Sequence, residues 1–554
     1  MDGINMDLMA LRESYSNGVR PTDVIKRLYP LLAAETGMFI NLLPVEDLLA
    51  RCRVLESMTP TSRGLLFGVP FGVKDSIHVA GVPTTAGCEA FTFVPSETAP
   101  VVQALIDAGG IMVGKTNMDQ FASGLVGTRT PYGVARNPFD DRFIPGGSSS
   151  GSAPAVGSGL VTFALGTDVA GSGRVPAGFC GCVGIKPTRG RISTMGTVPA
   201  SRSLDCVSVF ARSVEDGAVV ASILQEAGTT LEDPSWRRRP AHSVSFGSGS
   251  NDTASVAHNG SATGTSHMPA TLELDKQARP QFRFGVPSDQ YLSFEGPGGN
   301  AASQEYTRLF KEACERMQAV GGQLKEIDFE PFAETARLLY TSAFMAERYK
   351  CIRAFMEGKG GSLAKESVAV DPRLQRVTAA IMSGAVGYSA VDVFEAFTRL
   401  NELKCRAELQ MDKIDILLVP TAAYHYTIKE IEAEERLAPK TTWAKNTNLG
   451  RFTNFVNLLD MAAVAVPSGI LRCEATRSDA GGEEAERAQH LAATGNATTV
   501  LPFGVTLIGP AWSDGVLAEV ASRFHAASGL GCGPAGHGIE PYRQKQKPSR
   551  PCMK

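Results

Sequence analysis

The sequence lacks the features that define several classes of protein. It has no run of eighteen apolar residues and no basic N-terminal segment followed by an apolar one, so we expect neither a transmembrane helix nor a secretory signal. Lysine plus arginine number 54 against 57 acidic residues, a net charge of −3, which gives no reason to expect binding to nucleic acid or an anionic membrane. Eleven cysteines without a repeated spacing indicate reduced thiols, and no cysteine and histidine cluster has the spacing of a zinc site. We therefore expect a cytoplasmic protein with no metal, no cofactor, no nucleic-acid partner and no membrane partner.

What remains is a globular composition: 554 residues, of which 43% are apolar and 20% charged. Helical patterns alternate with short apolar runs, as in residues 98–114, where a helix ends at a glycine pair and a strand follows. This alternation predicts an α/β fold in which helices cover a largely buried sheet. We expect one domain over residues 1–530, with disordered polar insertions at about 241–271 and 472–498 and a disordered tail at 531–554.

The most informative stretch is residues 146–189, which is rich in glycine and serine at both ends. Its apolar run, Leu160–Leu165, predicts a buried strand that leads into a glycine-rich turn over Gly166–Gly173. Glycine permits the sharp bends of such a turn, which exposes backbone N–H groups around the hydroxyl of Ser172. A serine in that position can attack a carbonyl carbon while the N–H groups bind the oxyanion.

Other interpretations of this stretch compete with a nucleophilic serine. A phosphate-binding loop has the right glycine spacing but needs Lys and Ser or Thr where Ser172 and Gly173 stand. A nucleophile elbow, G-x-S-x-G, fits around Ser149 and needs a histidine late in the chain, for which the candidates are His425, His525 and His537. A flexible linker is disfavoured by the apolar strand and by the basic, proline-containing continuation to Arg189.

Together with an upstream lysine, these residues resemble the amidase signature family. Ser148 in GGSSSGS and Ser172 in AGSGR are 24 residues apart, as in that family, and the segment FGVKD supplies Lys74. The resemblance implies the amidase-signature fold, a large, mostly buried mixed sheet flanked by helices.

The same resemblance implies a Ser–cis-Ser–Lys triad. Ser172 is then the nucleophile, Lys74 is the base, and Ser148, which follows a cis peptide bond, passes the proton between them. Burial has to lower the pKa of Lys74, because only the neutral amine accepts a proton. The implied oxyanion hole consists of the backbone N–H groups of Val169, Ala170, Gly171 and Ser172.

Within the family, several local sequences are most similar to the allophanate hydrolases. They are the loop over residues 119–133, the segments 171–176 and 203–208, and a pair of residues, Tyr340 and Arg348, in a helix predicted over residues 330–355. The resemblance implies that Gly124, Tyr340 and Arg348 bind the substrate, with the tyrosine hydroxyl and the guanidinium on its carboxylate.

The implied reaction is hydrolysis of allophanate (urea-1-carboxylate), which releases ammonia in urea degradation. A homodimer and a functional link to a biotin-dependent urea carboxylase accompany this expectation. Two alternatives stay open: an amidase for another small amide, and an amidotransferase A-type subunit that acts on tRNA-bound substrate.

Overall fold

The chain is described from a computed structural model, which covers residues 5–539 with gaps at 228–232, 234, 239, 241–280, 293, 295–298, 359–367, 370, 438–443 and 475–497. The predicted insertion at about 241–271 lies outside the described residues, as does most of the one predicted at 472–498.

Within the described residues, eleven strands form a single mixed sheet. They are β1 (Phe39–Leu42), β2 (Pro70–Lys74), β3 (Ile111–Thr116), β4 (Phe163–Asp168), β5 (Val183–Lys186), β6 (Cys206–Ala211), β7 (Phe282–Val286), β8 (Gly322–Glu326), β9 (Ile416–Pro420), β10 (Met461–Glu474) and β11 (Thr498–Pro510). Their order across the sheet is β1-β3-β2-β4-β6-β5-β10-β11-β9-β7-β8. Parallel pairs such as β2–β3 occur beside antiparallel pairs such as β4–β6. The α/β architecture with a mixed sheet is confirmed.

Helices flank this sheet. They are α1 (Leu8–Ser16), α2 (Pro21–Ala33), α3 (Val45–Glu56), α4 (Pro100–Asp107), α5 (Ser152–Gly157), α6 (Val175–Cys180), α7 (Val214–Glu226), α8 (Gly299–Ala319), α9 (Glu330–Thr341), α10 (Phe344–Glu357), α11 (Arg376–Val386), α12 (Ala390–Met411), α13 (Ile428–Leu437), α14 (Ala444–Leu449), α15 (Phe455–Leu458), α16 (Asp514–Ser528) and α17 (Gly533–Gly536). In the described part of the chain, no single helix is long and apolar enough to cross a membrane. Among the helices that the structure describes, only α11 and α12 taken together reach that length and hydropathy, and they meet at a bend of 99°.

Three central strands bring polar groups to one edge of the sheet. β2 pairs in parallel with both β3 and β4, and all three strands are buried along their length. Because the carboxyl ends of parallel strands lie at the same edge, Lys74, Thr116 and Asp168 finish side by side. The apolar residues of these strands hold the sheet in the core, and their polar last residues form the floor of a site.

The helix predicted over residues 330–355 is interrupted, which corrects the expectation of one continuous helix. α9 ends at Thr341, and α10 begins at Phe344. At the break, Ser342 is extended (φ −132°, ψ −179°), and its hydroxyl donates to the carbonyl of Leu338 at 2.7 Å. A serine hydroxyl that bonds to the preceding turn competes with the helical backbone, and the apolar pattern alone does not reveal this.

Two segments that were predicted to be disordered are ordered in part, which corrects the prediction. β10 and β11 pair as far as Glu474 opposite Thr498, so the ends of the segment predicted at 472–498 belong to a hairpin. Residues 531–539, predicted as part of a disordered tail, contain α17 and pack on the domain: the Gly533 N–H donates to the Gly181 carbonyl at 2.7 Å. The His537 ring meets the Phe139 ring edge-on at 5.2 Å. In both places backbone hydrogen bonds order a chain whose composition is polar or rich in glycine and proline.

Candidate active site

The ammonium group of Lys74 lies at the centre of the site. Lys74 ends β2 with its side chain fully buried. Its Nζ donates to Ser148 Oγ at 2.8 Å, to Thr167 Oγ1 at 2.8 Å and to Ser149 Oγ at 3.1 Å. Three hydroxyls therefore fix the lysine nitrogen, and a serine hydroxyl lies within proton-transfer distance of it.

Burial lowers the pKa of Lys74 from its ordinary 10.5 to about 7. Removal of water disfavours the charged amine more than the nearby carboxylates of Asp119, Asp168 and Asp205 favour it, and the positive charge of Arg348 lowers the pKa further. Close to neutral pH a large share of Lys74 is then the free amine. This is the protonation state that a general base requires.

Ser148 lies on a tightly packed backbone segment. The Gly147–Ser148 peptide bond is cis, as the resemblance implied. The Gly147 N–H donates to the Leu125 carbonyl at 2.8 Å, and the Ser148 carbonyl accepts from the Asp119 N–H at 3.1 Å. A Cβ on Gly147 would lie 2.1 Å from Asp119 Oδ2, so only glycine fits here. The loop that begins at Asp119 thus holds the backbone on which Ser148 stands.

A buried ion pair shapes the turn that carries Ser172. Asp168 accepts the N–H groups of Gly171 and Gly173, each at 3.0 Å, one on either side of the serine. The same carboxylate forms a two-pronged pair with Arg174, at 2.8 Å through both Nε and Nη2, and both side chains are fully buried. These hydrogen bonds fix the turn so that Ser172 lies at its tip, where the residue is 4% exposed.

The same contact bears on the oxyanion hole that the resemblance implied, which stays a prediction. The Gly171 N–H is bonded to the Asp168 carboxylate in this structure, so it is not a free donor for an oxyanion. The N–H groups of Val169, Ala170 and Ser172 remain as the proposed donors. The sequence did not reveal this, because the acceptor is a side chain whose orientation depends on Arg174.

The structure does not support the nucleophile-elbow interpretation of Ser149. Its hydroxyl accepts from Lys74 Nζ at 3.1 Å and donates to the Thr167 carbonyl at 3.3 Å, and neither partner is a histidine. Of the late histidines, His425 bonds through Nδ1 to the Tyr306 hydroxyl, and His537 bonds through Nδ1 to the Gly533 carbonyl. The third, His525, is buried on α16.

Arg348 and Tyr340 come together although they belong to different helices. Arg348 is 2% exposed, its Nη2 lies 3.4 Å from the Tyr340 hydroxyl, and its Nη1 lies 3.3 Å from the Ala122 carbonyl. Among the described residues its Nε has no hydrogen-bond partner, and the guanidinium forms no ion pair. The bend between α9 and α10 therefore creates a buried cation with weak partners.

Gly124 lies in the loop that faces this cation. Its φ is +150°, and a Cβ there would lie 2.5 Å from Arg129 Nη1. In the same loop, Phe121 and Ala122 have left-handed φ angles of 50° and 55°, a conformation that costs energy for residues with a side chain. Because residue 124 has no side chain, this part of the loop contributes backbone atoms to the site.

Sequence reasoning missed several residues of the site. Ser149 and Thr167 hold the lysine, and Asp168 with Arg174 holds the turn, although all four stand within or beside the quoted motifs. Asp205 accepts from the N–H groups of Ala200 and Ser201, and burial raises its pKa to about 6. A charged residue next to a glycine-rich turn is a signal for the Asp168 pair, whereas nothing local marks Asp205.

No metal site accompanies these groups in the described residues, where no three His, Cys, Asp or Glu side chains are arranged as ligands. The expectation that the chain uses no metal or cofactor stays a prediction.

Comparison with known proteins gives the family. Residues 40–517 match the amidase family. The urea amidolyase of Saccharomyces cerevisiae is 36% identical over 493 residues, which are 89% of this chain and 22% of that protein. The structure of Kluyveromyces lactis allophanate hydrolase matches with a TM-score of 0.72 and 33% identity, over 94% of this chain and 72% of that one. The K. lactis urea amidolyase matches with a TM-score of 0.75 and 32% identity, over 100% of this chain and 29% of that one.

The chain belongs to the amidase family. It spans 22% of the length of the curated urea amidolyases that it matches.

Proposed function

We propose that this chain hydrolyses the terminal amide of allophanate and releases ammonia. The observation that carries the proposal is the guanidinium of Arg348, which is buried beside the Tyr340 hydroxyl without an ion pair among the described residues. A buried cation is costly unless an anion compensates it, and a carboxylate can meet a guanidinium through two parallel hydrogen bonds. Similarity to a structure titled allophanate hydrolase supports a urea that carries a carboxylate as the substrate.

In the proposed reaction, Ser172 Oγ attacks the carbonyl carbon that bears the terminal NH2 group. Its proton passes to Ser148 Oγ, whose own proton passes to the free amine of Lys74, 2.8 Å away. The carbonyl oxygen becomes an oxyanion that the N–H groups of the Ser172 turn stabilise. Lys74 then returns a proton through Ser148 to the leaving nitrogen, the C–N bond breaks, and ammonia departs.

Water completes the cycle by the same route. The free amine of Lys74 accepts a proton from water through Ser148, and the hydroxide oxygen attacks the acyl carbon on Ser172. Collapse of the tetrahedral intermediate breaks the bond to Ser172 Oγ, which regains its proton. The product is N-carboxycarbamate, in which a single nitrogen carries two carboxylates.

A reaction that carboxylates urea has to supply this substrate, so we retain a biotin-dependent urea carboxylase as the proposed functional partner. A cytoplasmic location and a homodimer belong to the same proposal.

The experiment is a comparison of ammonia release from two pairs of nearly isosteric amides. Allophanate and malonamate carry a carboxylate where biuret and malonamide carry a neutral amide. We expect kcat/KM to favour the charged member of each pair, by about tenfold to a hundredfold if the guanidinium contact contributes as a charged hydrogen bond does. Arg348→Met should remove this preference and leave turnover of biuret intact when it is assayed at about pH 9, well above the lowered pKa of Lys74.

Equal turnover of charged and neutral members by the unmodified protein would refute a carboxylated substrate. Turnover of glutamine in place of these compounds would favour the amidotransferase alternative.

A further inference from the structure

A surface contact ties the first turn of α10 to the loop over residues 200–205. The Glu347 carboxylate accepts the Ser203 N–H at 2.9 Å through one oxygen and the Ser203 hydroxyl at 2.6 Å through the other. A carboxylate that binds one residue through both oxygens has a defined orientation. We call this pair of hydrogen bonds the Glu347–Ser203 clasp.

The clasp lies next to the side chain that the proposed substrate would contact. Arg348 follows Glu347 directly, and on a helix its side chain leaves the axis about 100° away from that of Glu347. Its own contacts are long, 3.3 Å to the Ala122 carbonyl and 3.4 Å to the Tyr340 hydroxyl. Its guanidinium carbon also lies 5.3 Å from the centre of the Tyr340 ring. Among the described residues no ion pair holds the guanidinium, so its position depends on where the helix backbone is held.

The C-terminal part of α10 is anchored by aromatic packing. The Phe355 ring lies 5.9 Å from the Phe121 ring and 5.3 Å from the Phe91 ring. The Cys351 thiol forms a hydrogen bond with the backbone of Arg202, which places the 200–205 loop beside the second turn of the helix as well. Burial raises the pKa of this thiol to about 11, and the hydrogen bond opposes that rise. The helix is therefore held by buried apolar side chains along its length, among them Phe344, whose ring meets the Phe397 ring edge-on at 5.2 Å, and by the 200–205 loop near its N-terminal end.

The loop that receives the clasp is itself well fixed. The Asp205 carboxylate accepts the N–H groups of Ala200 at 3.1 Å and Ser201 at 3.2 Å, and Asp205 immediately precedes β6. The positive charge of Arg348 lowers the pKa of this carboxylate, although burial raises it overall. A rigid loop that leads into β6 thus carries both the donors of the helix clasp and a carboxylate whose pKa the positive charge of Arg348 lowers.

We propose that Glu347 and Ser203 are positioning residues that set the preference for carboxylated amides, by holding α10 where the Arg348 guanidinium meets the substrate carboxylate. The inference rests on the proposed function, because it assigns a role in recognition of that carboxylate. Neither residue touches the reacting atoms. Loss of the clasp lets the first turn of α10 move and separates the guanidinium from the carboxylate, while Lys74, Ser148 and Ser172 stay in place.

The test compares substrate preference in four single variants and one double variant, Ser203→Ala with Glu347→Ala. Glu347→Ala removes both hydrogen bonds, Glu347→Gln keeps one acceptor oxygen, and Ser203→Ala removes only the hydroxyl. Glu357→Gln is the matched control, since it neutralises a glutamate of the same helix that pairs at the surface with Arg353. For each protein, kcat and KM are measured for malonamate and for malonamide, with the thermal midpoint as a check on folding.

We expect Glu347→Ala to raise KM for malonamate about three- to tenfold, with kcat and the constants for malonamide unchanged. Glu347→Gln and Ser203→Ala should show smaller increases, and Glu357→Gln should show none. Combining Ser203→Ala with Glu347→Ala should add nothing further, because both changes remove the same contact.

Two results overturn the inference and are distinct from each other. If the unmodified protein prefers malonamate and Glu347→Ala retains that preference, or loses both substrates equally, the clasp has no part in specificity, although the proposed function stands. If the unmodified protein shows no preference for malonamate, the proposed function fails, and the clasp inference fails with it.

Discussion

The pKa of Lys74 permits a quantitative test, because burial brings it into the pH range in which enzymes are assayed. At pH 7 a lysine with a pKa of 10.5 is neutral in about one molecule in 3,000, whereas a pKa of about 7 makes about half of the molecules neutral. The site therefore raises the population of the competent base by about a thousandfold. We expect kcat/KM to rise about tenfold per pH unit below pH 7 and to reach a plateau above it.

Biuret is the substrate of choice for this profile, because it has no carboxyl group to titrate. Ammonia release is followed from pH 5 to 9.5, and kcat/KM is used because it reports the pKa values of the free enzyme. Two variants should move the midpoint in opposite directions. Arg348→Met removes a positive charge that lowers the pKa of Lys74, so the midpoint should rise, and Asp205→Asn removes a negative charge that raises it, so the midpoint should fall.

A profile that climbs tenfold per unit through pH 9 without a plateau would refute the reasoning, since it would mean that Lys74 keeps an ordinary pKa or is not the base. A midpoint that moves in the same direction in both variants would show that the electrostatic account of the site is wrong.

Three further outcomes follow from the site. Ser172→Ala and Lys74→Met should each abolish nearly all ammonia release, and the double variant should be little worse, because residues of one proton relay are not additive; a late-histidine variant with a comparable loss would contradict this. Arg174→Met leaves the buried carboxylate of Asp168 unpaired, so urea unfolding should show a loss of about 3–5 kcal/mol together with lost activity; an unchanged midpoint would refute the role of the pair. The free energy of unfolding of the unmodified protein, relative to that of Lys74→Met, should increase as pH rises from about 7 to 10.5, because in that window the unfolded chain holds a proton on Lys74 that the folded protein has released. A difference between the two proteins that does not change with pH would contradict the lowered pKa.

Much of the site could be predicted because its chemistry is concentrated in short segments of sequence. Ser148, Ser172 and Lys74 each stand in a glycine-bounded or strand-end pattern that fixes the local backbone, and the structure brings Lys74 to hydrogen-bond distance of Ser148. The sheet could be predicted for a related reason, since buried strands need continuous apolar runs whatever the rest of the chain does. The sequence by itself therefore determined the residue types of the proposed triad and the architecture that carries them.

Tertiary structure decided what those residues can do. The pKa of Lys74 depends on burial and on the charges of Asp119, Asp168, Asp205 and Arg348, which are far apart in the chain. The Gly171 N–H is directed at a carboxylate instead of an oxyanion, and Arg348 reaches Tyr340 across a helix break rather than along one helix. Electrostatic interactions and hydrogen bonds of this kind depend on distances between side chains from separate elements, and a sequence pattern does not specify those distances.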